Sequence, residues 1–219
     1  VLEKTKINPA KVEIIPLPLN LDKFNLPSLS LAAAREQLKL PIDANIMGVI
    51  GRIDPKKGQQ FVIQALAKIK NWHLLVLGEP TRGEYENHLG ELKQMVVKLG
   101  LEERVHFRPF TQNLAPVYKS LNLMVMSTQA ETFGAVTVEA MASGTPVFGT
   151  SSGGTPEILE QGKLGFLFES NNQKSFLQVF EEFDSQKELV AQKVALAQQA
   201  AKVKYDEKAV LKKFLDVLG

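Results

Sequence analysis

The sequence predicts an α/β fold: a Rossmann-like domain whose parallel sheet is flanked by helices, followed by a helical C-terminal tail. Three features carry this expectation. Apolar runs of strand length alternate with helical patterns, the order of βαβ units around a parallel sheet. The runs are apolar throughout rather than at every second residue, which suits strands covered by helices on both faces. Past Asn171 the chain reads as helix to Leu218, with Gln, Lys and Ala on solvated faces.

Taken in order, residues 12–24 contain Pro16, Pro18 and Asn20 and read as an extended segment leading into the domain. Strands are expected at Ile46–Ile50, Leu74–Leu77, Val105–Phe107, Leu123–Met126, Val147–Gly149 and Phe166–Phe168. Helices are expected between them, near Gln59–Ile69, Tyr85–Leu99, Leu114–Ser120, Thr137–Ser143 and Pro156–Gln161. The chain thus divides into an interdomain segment, residues 1–24, and a ligand-binding domain, residues 25–219, with its helical tail from about residue 172. The opening Val-Leu-Glu-Lys-Thr-Lys resembles the end of a helix already under way, and a fragment of a longer protein is expected.

At 219 residues, 44% of them hydrophobic and 23% charged, the chain can bury one sizeable core. Its 26 Lys and Arg are nearly balanced by 24 Asp and Glu spread along the sequence, for a net charge of +2. That is not the basic stripe interleaved with aromatics of a nucleic-acid binder, so no nucleic-acid partner is expected. The absence of cysteine rules out disulfides and thiolate metal sites and fits a reducing compartment. No apolar stretch approaches the ~18 residues needed to span a bilayer, and the N-terminus lacks a signal-peptide pattern. The expected location is cytoplasmic, with any membrane contact made through another domain.

The most informative run is Glu131-Thr-Phe-Gly-Ala-Val-Thr-Val-Glu139-Ala-Met-Ala-Ser-Gly144-Thr-Pro146-Val. Two carboxylates flank a Phe133-Gly134 turn that opens a helix. The free amides of Gly134, Ala135 and Val136 then lie at its positive end, where unpaired donors and dipole both favour phosphate. Carboxylates repel phosphate but accept hydrogen bonds from sugar hydroxyls beside it. A phosphate flanked by sugars describes a nucleotide-sugar. A second run, Gly51-Arg52-Ile-Asp-Pro-Lys-Lys57-Gly58, puts an arginine fork and a lysine at the carboxyl end of the first strand, where open α/β sheets bind ligands. Asp-X-Asp occurs nowhere, and His73, His88 and His106 read as isolated, so no metal is expected.

With Ser152-Gly153-Gly154-Thr-Pro156-Glu157-Ile158 downstream, these runs resemble the signature of the retaining glycosyltransferases of family four, also called group 1, which have the GT-B fold. The resemblance is to that family's C-terminal, donor-binding domain and covers about residues 12–218. It implies that Arg52 and Lys57 hold the donor diphosphate and offset charge growing on the leaving nucleotide. It implies further that Glu139 holds the ribose hydroxyls and that Glu131 contacts the transferred sugar. Gly51, Phe133 and the amides of Gly134, Ala135 and Val136 join them at the donor. The nucleobase would rest near the loop after Val105-His-Phe107-Arg108-Pro109, with Arg108 among the donor contacts. The catalytic set implied is Arg52, Lys57 and Glu131, with no metal and no cofactor besides the donor, a UDP-sugar ahead of a GDP-sugar. One departure is Pro18-Leu-Asn20-Leu-Asp22, where the family carries a Pro-Asn-Gly-Val-Asp-like sequence.

Singly, each feature has a plainer reading. Arg52 and Lys57 could be solvated charges, Gly153-Gly154 a turn packed before a helix, and Glu157 a complement to a helix dipole. Together, in order and at strand ends, they point to donor binding. The alternative is a non-catalytic nucleotide-sugar-binding module or one subunit of a two-chain enzyme, and an epimerase or phosphorylase on the same architecture is a third reading. In the resembled family an N-terminal domain supplies the acceptor site, and no group here is placed as a base for an incoming hydroxyl. The isolated chain is therefore expected to bind a nucleoside diphosphate and transfer little; turnover at about 1 per second or faster would overturn this.

Overall fold

The computed structural model describes residues 12–24, 28–81, 83–129 and 131–218. The opening residues read above as the end of a helix lie outside these. Six strands form one parallel sheet: β1 (Asn45–Ile50), β2 (Trp72–Leu77), β3 (Val105–Arg108), β4 (Leu123–Met126), β5 (Val147–Thr150) and β6 (Phe166–Phe168). Their spatial order is β3-β2-β1-β4-β5-β6, so the chain reverses its direction of travel across the sheet between β1 and β4.

Strand residues alternate between two cores, as a sheet covered on both faces requires. Met47, Val49, Leu74, Val76, Val125 and Phe148 face α2 (Gln59–Leu66), α3 (His88–Lys98) and α7 (Gln173–Ser185). That core is rich in aromatics: Phe61 stacks on Phe168 at 5.7 Å, and Phe148 meets Phe183 edge-on at 5.3 Å. Ile46, Ile50, Leu75, Leu77, Met124 and Met126 face the other core, against α4 (Ala115–Ser120), α5 (Ala135–Ser143) and α8 (Lys187–Tyr205). A short α6 (Thr155–Ile158) follows β5.

All six expected strands are present. The helical expectations shift at their ends: the first runs Gln59–Leu66 rather than to Ile69, and the next His88–Lys98. The expected helix from Thr137 starts two residues earlier, at Ala135. The tail is three helices, α7, α8 and α9 (Glu207–Leu218). Asp206 breaks it with an extended backbone, and its Oδ1 accepts the Lys208 amide at 3.1 Å to start α9. The lead-in segment pairs with this break: the Leu19 amide donates to the Tyr205 carbonyl, and the Glu207 amide to the Leu19 carbonyl, each at 2.9 Å.

A short helix that the sequence reading did not assign, α1 (Leu31–Gln37), is capped by Ser30, whose Oγ accepts the Ala33 amide at 3.1 Å. It delivers Arg35, 2% exposed, to the amino ends of the strands. Arg35 donates to the Ser120 carbonyl at 3.0 Å, to Asn122 Oδ1 at 2.7 Å and to the Ile42 carbonyl. Asn122 Oδ1 also accepts the Ile46 amide at 2.8 Å, so one cation ties together α1, the start of β1 and the start of β4. Arg35→Ala removes the donor to the Ser120 and Ile42 carbonyls and to Asn122, and is expected to cost about 3 kcal/mol. In a domain of this size that lowers Tm by roughly 6–12 °C, and a thermal-melt shift below about 2 °C would refute the clamp.

Candidate functional site

In a sheet of this order the loops after β1 and β4 diverge and leave a crevice at their carboxyl ends. The loop after β1 passes through Arg52 into a short 3-10 turn, Pro55–Lys57. Buried Asp54 starts that turn by accepting the Lys56 amide at 2.8 Å. From the far side, Ser127, one residue past β4, donates its Oγ to the Lys57 carbonyl at 2.7 Å. These contacts set the height from which Lys57 reaches Glu131: Nζ to Oε2 is 2.9 Å, with the two side chains 25% and 13% exposed. Lys57 and Glu131 thus form an ion pair across the crevice. The Glu131 turn is held from behind by the loop after β5, where the Gly154 amide donates to the Glu131 carbonyl at 2.8 Å. A Cβ on Gly154 would lie 2.7 Å from the Thr132 carbonyl oxygen, so Gly153-Gly154 serves close packing here.

Gly134 is the N-cap of α5 in a left-handed conformation, φ 70°, with no side-chain cap hydrogen bond. The helix's first hydrogen bonds run from the Thr137 and Val138 amides to the Gly134 carbonyl, at 2.9 and 3.4 Å. The amides of Gly134, Ala135 and Val136 precede that ladder and sit at the helix's positive end. Beside them opens a cavity of about 380 Å³, lined by Gly51 and Arg52 after β1, Gly78 and Pro80 after β2, Phe110 after β3, and Val136. The Arg52 side chain is exposed, and its carbonyl accepts from Gln59 Nε2 at 2.7 Å, which steadies the loop. A Cβ on Gly78 would fall 1.8 Å from the Gly51 carbonyl oxygen, so the loops after β1 and β2 touch backbone to backbone. A Cβ on Gly51 would meet nothing within 4 Å, leaving that backbone open to a ligand.

Glu139 lies about one turn inside α5 and is 8% exposed. Its Oε2 accepts the Tyr118 hydroxyl at 2.7 Å. Burial pushes the Glu139 carboxyl above its ordinary range, while the Tyr118 hydrogen bond and nearby Lys23 pull it back. Burial, then the Glu139 charge, drive Tyr118 well above its own, so the phenol remains a donor.

Several expected contacts fall elsewhere. The Arg108 guanidinium is spent on backbone carbonyls, those of Leu38, Lys39 and Phe107, at 2.8, 2.8 and 2.9 Å, and so clasps the turn after α1. The Phe133 ring packs edge-on to Tyr205, centroids 6.3 Å apart, and lines a different groove of about 620 Å³ with Ile14 and Leu17. The histidines are not isolated. His73 Nδ1 and His106 Nε2 lie 3.0 Å apart, and His88 Nδ1 is 2.8 Å from Glu91. Burial, with His73 and Arg108 nearby, pushes His106 down to about 4. His73 sits near the start of β2, at the opposite end of the sheet from the crevice. Sequence reasoning missed Gly78, Pro80, Phe110 and Tyr118. The run Gly78-Glu79 after β2, echoing Gly51-Arg52 after β1, was the available signal for the first two.

No helix among the described residues is long and apolar enough to cross a membrane. The profile of a family described as glycosyl transferases group 1 matches residues 32–202. A D-inositol 3-phosphate glycosyltransferase of Streptomyces scabiei is 32% identical over 200 residues, which cover 87% of this chain and 44% of that protein. Its namesake from Mycobacterium leprae is 35% identical over 169 residues, 76% of this chain and 39% of that protein. The chain therefore spans about two-fifths of the length of these relatives. Among solved structures, Anabaena Alr3699/HepE in complex with UDP and glucose superposes with a TM-score of 0.86 at 26% identity, covering 94% of this chain and 56% of that one. The C-terminal domain of a group 1 glycosyl transferase, LpcC of Francisella tularensis, superposes at 0.74 with 26% identity, covering 86% of this chain and 98% of that one. On the match across residues 32–202, the parallel sheet and the crevice between β1 and β4, this chain belongs to the group 1 glycosyltransferase family.

Proposed function

We propose that this chain is the donor-binding domain of a retaining, metal-independent glycosyltransferase that uses a UDP-sugar and works with an N-terminal acceptor domain. One observation carries the reading: Gly51, with its open backbone, Arg52 and Val136 in the first turn of α5 line one cavity, and Glu131 of the Lys57–Glu131 pair lies against Gly134, the N-cap of that helix. The UDP and UDP-glucose complexes of Alr3699/HepE support the choice of donor.

In this mechanism the donor diphosphate lies against the α5 amides, and its oxygens take Lys57 from Glu131 while Arg52 closes on them as a fork. Glu131, released from the ammonium, accepts from hydroxyls of the sugar. As the bond from sugar to phosphate breaks, negative charge moves onto the leaving phosphate oxygen. In this reading Arg52, Lys57 and the helix amides meet that charge, in the place that a metal ion would otherwise take. Glu139 accepts from the ribose.

The first test is thermal stabilisation of the chain by UDP, GDP, ADP and dTDP, with Arg52→Ala alongside. UDP at a hundredfold excess over its Kd is expected to add about 2.7 kcal/mol of stability, worth several degrees. Arg52→Ala is expected to weaken UDP about tenfold and to leave uridine unchanged. A shift with none of the four, or equal loss for nucleoside and diphosphate in the variant, would overturn the reading. Glu131→Gln is a sharper probe. Removing the carboxylate frees Lys57 and is expected to tighten UDP roughly two- to fivefold, on the scale of a partly exposed ion pair, while weakening UDP-glucose. Calorimetry showing weaker UDP binding in this variant would contradict the exchange of Lys57 between carboxylate and phosphate.

A further inference from the structure

The Tyr118–Glu139 contact is a buried hydrogen bond to a carboxylate, and no donor contact uses Tyr118. Tyr118 is 0% exposed and belongs to α4, not to the helix that carries Glu139. Its backbone is held by Thr145, whose Oγ1 donates to the Tyr118 carbonyl at 2.9 Å. Its ring is held by Phe24, edge-on with centroids 5.6 Å apart. Lys23, whose ammonium lies 4.8 Å from the centre of the Phe24 ring, is the one cation that acts on the Glu139 carboxylate among the described residues. A phenol fixed at backbone and ring presents its hydroxyl in one place. The Glu139 carboxylate, which would otherwise swing between rotamers, is caught by Oε2, leaving Oε1 to accept from something else.

We propose that Tyr118 is a positioning residue for the nucleotide's ribose, orienting Glu139 so that Oε1 meets the vicinal diol. This rests on the ribose role given to Glu139 above. A carboxylate accepts from a diol more strongly when ionised than as the neutral acid, and a committed donor favours the ionised form of a buried carboxylate. Tyr118 supplies that donor from within the core, where it is not exchanged for water. Without it, Glu139 would have to order itself on each binding event, with its carboxyl pushed further above the ordinary range. A purely structural hydrogen bond would stabilise the fold and leave nucleotide recognition alone, so the two roles give different results.

The test compares UDP with 2′,3′-dideoxy-UDP on wild-type chain and on Tyr118→Phe, by calorimetry from pH 5 to pH 8. At pH 7 the variant is expected to bind UDP about tenfold more weakly and the dideoxy nucleotide within about twofold of wild type. Removing a donor to the ionised form raises the Glu139 pKa further. As pH falls, UDP affinity in the variant is thus expected to decline at a higher pH than in wild type. Titration of the Glu139 carboxyl by carbon NMR reads the same upward shift without any ligand. Glu139→Gln, which keeps a partner for Tyr118, is expected to lose the preference for UDP over its dideoxy analogue and to flatten the pH dependence. Equal losses for both nucleotides in Tyr118→Phe, or an unmoved Glu139 titration, would overturn the positioning role while leaving donor binding intact. Wild-type chain that binds both nucleotides equally would remove the ribose role and this proposal with it. Wild-type chain that binds neither would overturn the donor site itself.

Discussion

The arrangement depends on one constraint: β1 must hydrogen-bond to β2 on one side and β4 on the other. Having built outward from β1 to β3, the chain has to return across the sheet and start again on the opposite flank. The loops on either side of that return cannot follow one another, so a gap opens above β1. Everything placed at the gap is then decided by which residues stand just past each strand. After β1 these are Gly51, Arg52 and Lys57; after β4 they are Ser127 and Glu131, and next comes the start of α5. The opposite end of the sheet is closed by Arg35 and Asn122, so that the strands are tied at their amino ends and separate at their carboxyl ends.

The Lys57–Glu131 pair answers an electrostatic problem. Arg52, Lys57 and the amino end of α5 carry the same sign of charge, and by themselves they repel one another. A carboxylate placed among them holds Lys57 extended across the crevice and prevents it from folding onto other surface. Because both side chains retain some exposure, the pair is weakly held. Glu139 is the contrasting case, buried and fixed by the neutral Tyr118 hydroxyl.

The six strands were legible in the sequence because a short apolar run bounded by turn residues, recurring between helical patterns, fits a covered strand and little else. The helix from Leu31 was not, because its short apolar face gave no clear period and its cap, Ser30, is a common residue. The site divides along similar lines. Arg52, Lys57, Glu131 and Glu139 could be picked out by residue type next to a glycine turn. Their partners could not. Lys57 meets Glu131 across 74 positions of sequence, and Glu139 meets a tyrosine 21 positions away on a different helix. Arg108 was expected among the donor contacts near the nucleobase loop, and its guanidinium bonds the carbonyls of Leu38 and Lys39, through a turn whose path only the tertiary fold determines. The His73–His106 contact arises in the same way, from the register that sets Leu74 beside Val105.

The pairing of Leu19 with the break at Asp206 has a mechanical consequence. Two hydrogen bonds join the lead-in segment to the junction of α8 and α9, far along the chain from any strand of the sheet. A pull applied along residues 12–18 would be shared between that junction and the core that Leu21 and Phe24 enter just beyond it. The lead-in and α9 therefore meet at Asp206, against the groove that Thr132 and Phe133 line from the other side, so the turn carrying Glu131 is backed by the first and last segments of the described chain.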